Sequence, residues 1–367
     1  MTAEPLSAAR PNRLAGLLGI DIPVVLGPFG GVSSVGLTAA VSDGGGLGSF
    51  GLYGYDGEAI RRTAAELHAA TSRPFALNLW VPTGTETTSL PQADFDRYAI
   101  ALKPFFDELG LPLPQLPDRL MADYAGQVEA ALEARPAVVS FVFGVPSPEV
   151  VEAAHRQGTK VLGTATTVAE AVALEAGGVD AVVASGAESG GHRVSFLAPA
   201  EESLVGTFAL VPQVADAVRI PVIAAGGVAD RRGVAAALAL GADGVQVGTA
   251  FLSTAESAAV PAYRDLLHSP AAAQTVLTRA MSGRLARGIP NTATRSVAED
   301  QIAPFPVQNW LTGRFRAEAA AQGNTNLMSL WAGQAAPLLR HRNAADVLAE
   351  LTAGLPGRAP VTPARPR

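Results

Sequence analysis

Short apolar runs alternate with alanine-rich segments of helical period along most of the chain, from residue 20 to residue 252. The apolar runs are continuous rather than alternating, as in residues 138–142, which is typical of parallel strands covered on both faces. A turn containing glycine, serine or threonine follows each run. Eight such runs predict the strands of an α/β fold, a (β/α)8 or TIM barrel, at residues 23–26, 46–50, 75–80, 137–143, 160–164, 181–184, 222–225 and 244–247.

Hydroxyl side chains and prolines mark the beginnings of the predicted helices. Ser33 precedes a helix over 35–41, and Ser147 is followed by Pro148, which suits the first turn of a helix. Thr167 with Glu170 three residues later predicts a reciprocal capping box.

The alternation is interrupted after the third predicted strand. Residues 81–118 form a loop rich in threonine, proline and glycine, followed by a predicted helix around 94–109. This stretch is too long for an ordinary connection in a compact barrel. We therefore predict a barrel over residues 14–254 that carries an insertion over its mouth.

The strand pattern stops after Phe251. Residues 255–352 indicate a helical C-terminal addition packed on the barrel, with helices at 313–322 and 328–340. The last residues, 353–367, are rich in proline and arginine and are predicted to be a disordered tail.

Composition excludes several classes of protein. With 48% apolar and 16% charged residues the chain is too apolar to be disordered. The absence of cysteine removes thiolate nucleophiles, cysteine-bound zinc and cysteine-held iron–sulfur clusters. No histidine cluster has the spacing of metal ligands, so no metal is predicted.

Charge and targeting signals indicate a protein without nucleic-acid or membrane partners. The net charge of −6 argues against binding to nucleic acids and anionic membranes. Residues 22–42 are uncharged, but their prolines and glycines are wrong for a membrane helix, and no secretory signal is apparent. We expect a cytoplasmic protein, and oligomerisation remains open.

The chemistry of such a barrel belongs at the carboxyl ends of its strands. Gly226 and Gly227 follow the seventh predicted strand, and Gly248 and Thr249 follow the eighth. Glycine lets backbone N–H groups approach an anion closely, and helix N-termini add favourable dipoles. These turns predict a phosphate site, although each glycine alone could simply permit a tight turn.

His192 is the candidate base. It lies in the loop after the sixth strand, and an unshifted imidazole titrates near pH 6.5, so it could accept a proton at neutral pH. A lone loop histidine is more often solvated or structural, but its position beside the phosphate strands favours function. The other four histidines are expected to be peripheral, with three in amphipathic helices, namely His68, His155 and His341, and His268 in the C-terminal part.

The opposite rim offers small residues and an amide. Phe29 and Gly30 follow the first strand, and Asn78 lies within the third. An amide both donates and accepts, which suits the edge of a flavin pyrimidine ring, but Asn78 could equally hydrogen-bond a neighbouring loop. A phosphate site without a nucleophile, metal or lysine at the mouth fits a phosphorylated cofactor such as FMN. Sugar-phosphate isomerases and epimerases share that site, so the residues alone leave both open.

An ordered series of segments resembles the nitronate monooxygenase family, formerly called 2-nitropropane dioxygenases. The series covers most of residues 20–350 and consists of 190–193, 224–228, 233–242, 244–249, 282–287 and 328–334. The resemblance implies an FMN-binding TIM barrel that oxidises nitronates, and in some members nitroalkanes, with molecular oxygen. It implies His192 as the catalytic histidine, either removing the α-proton or orienting an ionised nitronate. The implied cofactor contacts are Phe29, Gly30, Asn78, Thr164, Gly191, Gly226, Gly227, Gln246, Gly248 and Thr249.

Three departures concern the substrate pocket. Phe29 stands where the family commonly has methionine, and residues 194–196 replace a usual glycine. No cation is evident for the flavin, since Lys160 opens the fifth strand and should lie at the bottom of the barrel. The rival functions are an FMN-dependent NAD(P)H:quinone or enoyl-thioester reductase, and a phosphate-binding barrel without flavin.

Overall fold

The computed structural model describes residues 12–356. The strands are β1 (Val24–Leu26), β2 (Gly48–Gly51), β3 (Phe75–Trp80), β4 (Val138–Val142), β5 (Lys160–Ala165), β6 (Ala181–Ser185), β7 (Gly191–His192), β8 (Val222–Ala225), β9 (Gly244–Val247), β10 (Val276–Thr278) and β11 (Ala286–Gly288). Eight of them are parallel and form one sheet in the order β1-β9-β8-β6-β5-β4-β3-β2. A parallel bridge between Val25 and Leu47 joins the two ends of the sheet and closes it into a barrel.

Helices surround the barrel and continue beyond its last strand. They are α1 (Arg13–Leu18), α2 (Val35–Asp43), α3 (Gly57–Ala70), α4 (Gln92–Ala101), α5 (Lys103–Glu108), α6 (Tyr124–Glu133), α7 (Pro148–Arg156), α8 (Val168–Ala176), α9 (Thr207–Ala217), α10 (Arg231–Ala239), α11 (Thr249–Leu252), α12 (Pro261–Leu267), α13 (Thr292–Ser296), α14 (Val307–Ala321) and α15 (Ala344–Thr352). All eight predicted barrel strands are present, so the predicted fold class is confirmed.

The interior of the barrel changes character along its axis. Successive strand residues point to opposite faces, so every second residue faces inward. At the amino ends these positions form an apolar cluster that includes Val25, Ala76 and Leu162, closed by Leu14 and Leu18 of α1. Two residues further along, the same strands carry small or polar side chains at Gly27, Asn78, Ser140, Thr164 and Ser185. The apolar layer thus supports a polar layer at the mouth.

The insertion and the C-terminal segment share one hydrophobic core. Phe105 and Phe106 of α5 pack on Phe315 of α14, with ring centroids 5.5 Å apart in both pairs. Phe95 of α4 contacts Trp310 in the same cluster. The insertion is therefore fixed to the C-terminal addition at the barrel mouth.

The predicted insertion helix is two helices, α4 and α5, which meet at Leu102. Proline at the second position of α5 lacks the N–H that one continuous helix would need.

The prediction that strands stop after Phe251 was wrong. β10 and β11 form an antiparallel sheet with β7, the two-residue strand that contains His192. The helix predicted at 328–340 is also absent. That segment instead contains a bridge from Trp331 to Gly288 and a short 3-10 turn at Ala336–Leu338. Alternation over three residues is too short a signal to distinguish such strands from loops.

Two predicted helix starts differ in detail. Ser34, not Ser33, caps α2, and Ser33 Oγ instead donates to the carbonyl of Phe29. Thr167 caps α8 as expected, but the Glu170 carboxylate accepts from Thr166 N rather than completing the capping box. Of the predicted tail at 353–367, residues 357–367 lie outside the described part of the chain.

Candidate active site

A cavity of about 550 Å³ lies at the carboxyl ends of the barrel strands. Its volume is in the range of small-molecule and cofactor sites. His192 and all ten predicted cofactor residues line it. Residues scattered between positions 29 and 249 of the sequence are thus brought to one place. Their functional roles stay predictions.

The glycines after β8 have a conformation that L side chains rarely adopt. Gly226 and Gly227 have φ angles of 97° and 73°. A Cβ at Gly226 would lie 2.6 Å from Ser189 Oγ, whereas one at Gly227 would meet nothing closer than 3.9 Å. The backbone at Gly227 is therefore open to the cavity, as a phosphate cradle requires.

Two buried arginines fix the loop that carries His192. The Arg193 guanidinium donates to the carbonyls of Gly186, Ser185 and Ser203, at 2.7, 3.0 and 3.0 Å. Arg287 Nε donates to the carbonyl of Ala187 at 2.9 Å. Because these bonds hold backbone groups on both sides of the loop, the position of His192 does not depend on local glycine flexibility.

His192 lies against aromatic rings and a hydroxyl group. Its ring centroid is 5.0 Å from that of Trp80 and 5.4 Å from that of Trp331. Its Nε2 is 2.9 Å from Ser282 Oγ. Burial, together with the charges of Arg284 and Arg316, lowers the pKa of His192 to about 3. The expectation of an unshifted imidazole was therefore wrong, and the ring is neutral at physiological pH.

Ser282 holds the imidazole of His192 in place. Besides its contact with His192 Nε2, Ser282 Oγ lies 3.0 Å from the carbonyl of Arg284 and accepts from Arg284 N at 3.2 Å. A hydroxyl can both donate and accept, so Ser282 can serve either tautomer of the ring. The bond fixes the position of Nε2 and leaves Nδ1 without a side-chain or backbone partner in the described chain.

Arg316 of α14 supplies a cation that the sequence did not reveal. It is the one arginine or lysine lining the cavity within residues 12–356. It donates to Ser329 Oγ at 2.7 Å and to Asn309 Oδ1 at 2.8 Å, and neither partner is a carboxylate. Burial lowers the pKa of Arg316 to about 10, so it remains charged at neutral pH. Lys160 begins β5 and pairs with Asp180, away from the cavity, as expected.

The C-terminal segment contributes further cavity residues that sequence reasoning missed. Tyr263, Asn309, Ser329 and Trp331 line the cavity alongside Arg316. Ser329 and Trp331 belong to the segment 328–334, which resembles the family in sequence, but nothing in the local pattern showed that this segment turns back to the barrel. Gly333 N donates to Thr249 Oγ1 at 3.0 Å, which joins this segment to the last barrel strand's turn.

Two of the three departures from the family pattern lie at the cavity. Phe29 lines the cavity near Gly248, where an added Cβ would lie 3.6 Å from its ring. Residues 194–196 are held by the fully buried Glu170, which accepts from Phe196 N at 2.6 Å. Val194 also lines the cavity.

The other histidines are peripheral, as expected, because none lines the cavity. His68 and His155 lie in α3 and α7, but His341 is outside any described helix. Across residues 12–356, no group of three histidines, cysteines or carboxylates could hold a metal ion. The described chain also has no helix with the length and apolarity that a bilayer span requires.

A cavity at the mouth of a (β/α)8 barrel, lined by a histidine and by the glycine turns that follow two strands, is typical of a barrel enzyme. The nitronate monooxygenase family model matches residues 11–354. The nitronate monooxygenase of Pseudomonas aeruginosa is 41% identical over 94% of this chain and 99% of its own length. A probable nitronate monooxygenase of Staphylococcus saprophyticus is 37% identical over 91% and 94%.

Solved structures agree in fold. Nitroalkane oxidase from Streptomyces ansochromogenes superposes with a TM-score of 0.83 and 36% identity, covering 93% of this chain and 97% of that one. FabK from Thermotoga maritima gives a TM-score of 0.72 and 29% identity, covering 94% and 95%. This chain belongs to the nitronate monooxygenase family and is an enzyme. A flavin-dependent oxidoreductase is consistent with that family.

Proposed function

We propose that this enzyme binds FMN and oxidises alkyl nitronates with molecular oxygen. One observation carries the proposal: the histidine loop and the glycine turns of β8 and β9 open into the same cavity. The sequence similarity to nitronate monooxygenases and the likeness to a nitroalkane oxidase support the substrate class.

The residues around the cavity fit FMN. The open backbone at Gly227 and the turn at Gly248 and Thr249 would hold the phosphate, since no lysine or arginine lies among the residues of these turns. Asn78 donates to Ser140, and its side-chain oxygen remains for the edge of the ring system. Phe29, Gly30, Thr164, Gly191, Gly226 and Gln246 would complete the contacts. When bound, FMN supplies the electron-transfer chemistry between the organic substrate and oxygen.

His192 and Arg316 would bind the substrate. A nitronate is an anion, and Arg316 presents a buried cation without a carboxylate partner. His192 would orient the nitronate rather than create it. A neutral imidazole with a strongly lowered pKa is a weak base toward a carbon acid, and its protonated form is disfavoured beside Arg284 and Arg316. We therefore infer a preference for preformed nitronates over neutral nitroalkanes.

The experiment measures ethyl nitronate oxidation in wild type and in two histidine variants, and neutral nitroethane, which wild type should oxidise with a lower kcat/KM, tests the substrate preference. We expect a yellow protein whose flavin bleaches under nitrogen when ethyl nitronate is added. His192→Asn should reduce kcat/KM for ethyl nitronate by at least tenfold. His155→Asn is the control, because His155 lies on α7, outside the cavity, where it pairs with Asp180. A colourless protein, or one that bleaches only with NADPH, would refute the proposal.

The likeness to FabK gives weaker support to a second candidate function, that of an FMN-dependent NAD(P)H:quinone or enoyl-thioester reductase. In that case NADPH alone would bleach the flavin under nitrogen, and nitronates would not. A cytoplasmic location remains part of the proposal and would be tested by fractionation of the source cells.

A further inference from the structure

A second cavity of about 500 Å³ adjoins the first. Its walls come from the ends of β2 and β3, from residues 119–124 after the insertion helices, and from α14. Leu52, Leu79, Leu120 and Trp310 give it an apolar interior.

A wall one side chain thick separates the two cavities. Tyr53, Trp80, Asn309 and Arg316 line both cavities. The Tyr53 and Trp80 rings pack with their centroids 4.2 Å apart. Asn309 Nδ2 donates to Tyr53 Oη at 2.9 Å, and Arg316 donates to Asn309 Oδ1 at 2.8 Å. The wall is thus a close, tilted aromatic pair continued by a short hydrogen-bonded chain.

The second cavity has positive charge and no compensating acid. Arg119 and Arg314 are exposed at its edge, and Arg316 belongs to the wall. Neither aspartate nor glutamate is among its lining residues in the described chain. Tyr124 lines this cavity, and its hydroxyl is buried without a hydrogen-bond partner. An apolar interior with a cationic edge suits an unbranched chain that ends in a carboxylate.

We propose that Trp80 and Tyr53 set the chain-length limit of the substrate, because they close the reaction cavity against this second, cation-edged cavity. Removal of the Trp80 indole would join the two spaces. The tail of a long nitronate would then enter the second cavity and bring its terminal carboxylate toward Arg119 and Arg314. This inference rests on the proposed nitronate oxidation.

The test compares nitronates of increasing length in matched tryptophan variants. Oxygen consumption is measured with the nitronates of nitroethane, 1-nitrohexane and 6-nitrohexanoate. In Trp80→Ala, the ratio of kcat/KM for the six-carbon nitronates to that for ethyl nitronate should rise at least tenfold over wild type. The rise should be larger for the carboxylated chain. Trp310→Ala is the control, because Trp310 lines only the second cavity. Its ratio should match wild type.

A binding measurement decides the question if Trp80→Ala loses turnover because the contact between the Trp80 indole and His192 is gone. Calorimetric titration with octanoate should show at least tenfold tighter binding to Trp80→Ala, or to the milder Trp80→Leu, than to wild type. Arg314→Met in the same background should remove most of that gain. Unchanged chain-length ratios together with unchanged octanoate binding would overturn the inference. Failure of wild type to oxidise ethyl nitronate would instead overturn the proposed function, and the octanoate result would still decide the role of the wall.

Discussion

The ion pair between Glu86 and Arg284 joins the insertion to the segment whose Ser282 contacts His192, and its loss should be costly. Glu86 Oε1 lies 2.6 Å from Arg284 Nη2, and the two side chains are 6% and 14% exposed. The Glu86 carboxylate also accepts from Thr83 N and Gly84 N, each at 2.9 Å. The guanidinium lies over the rings of Phe143 and Phe305, at 4.2 and 4.0 Å.

Glu86→Gln keeps the shape but leaves the guanidinium without its counter-charge. The amide oxygen can still accept from the guanidinium, as can Thr83 Oγ1 at 3.2 Å, but the amide NH2 would then face the Gly84 N–H that now donates to the carboxylate. Removal of one partner from a buried pair costs about 3–5 kcal/mol. Because Arg284 is partly open to solvent, we expect a loss somewhat below that range, about 2–3 kcal/mol.

Urea unfolding at pH 7.5 measures the loss. Glu201→Gln is the matched control, since the Glu201–Arg279 pair has the same 2.6 Å separation but side chains that are 51% and 37% exposed. That variant should lose less than about 1 kcal/mol. The double variant Glu86→Gln/Arg284→Met should lose less than the sum of the two single variants. Equal losses in Glu86→Gln and Glu201→Gln would refute the reasoning, because burial would then have no effect.

Three further predictions concern the candidate site. Ser282→Ala should lower kcat for ethyl nitronate about tenfold with little change in KM, because it removes the hydroxyl that hydrogen-bonds His192 Nε2, and Ser282→Thr should restore activity; a loss confined to KM would contradict this. The pKa of His192 is about 3 in the folded protein, below the unfolded value near 6.5, so its neutral form contributes stability that is complete above pH 6.5 and is lost as the pH falls toward 3. Wild type should therefore lose up to about 2 kcal/mol more than His192→Asn between pH 7 and pH 5, and parallel urea midpoints for the two proteins would exclude this. Gly190→Ala should release bound flavin and lower stability, because the added Cβ would lie 2.5 Å from Gly333 N. Gly16→Ala on α1 is the control, since its Cβ would meet nothing within 4 Å, and it should be neutral or stabilising. Equal flavin retention in the two variants would show that the 331–333 segment moves to make room for the side chain.

The sequence alone determined the barrel and most of the strand-end residues. Strands covered by helices on both faces must be continuously apolar, so runs such as Val138–Val142 are visible without any tertiary information. The chemistry of a (β/α)8 barrel lies at a known end of each strand, so His192, Gly227 and Gln246 could be placed in one cavity from their positions in the chain.

The tertiary structure decided what surrounds those residues. β10 and β11 are three residues long, and β11 pairs with both β10 and the distant β7, so no local pattern identified them. Arg316 and Asn309 reach the cavity because α14 packs across the mouth, a contact between distant parts of the chain. The pKa of His192 likewise depends on burial and on Arg284 and Arg316, which are about 90 or more positions away in sequence. Periodicity reports which face of an element is buried, but the partner of that face is fixed only when the whole chain packs.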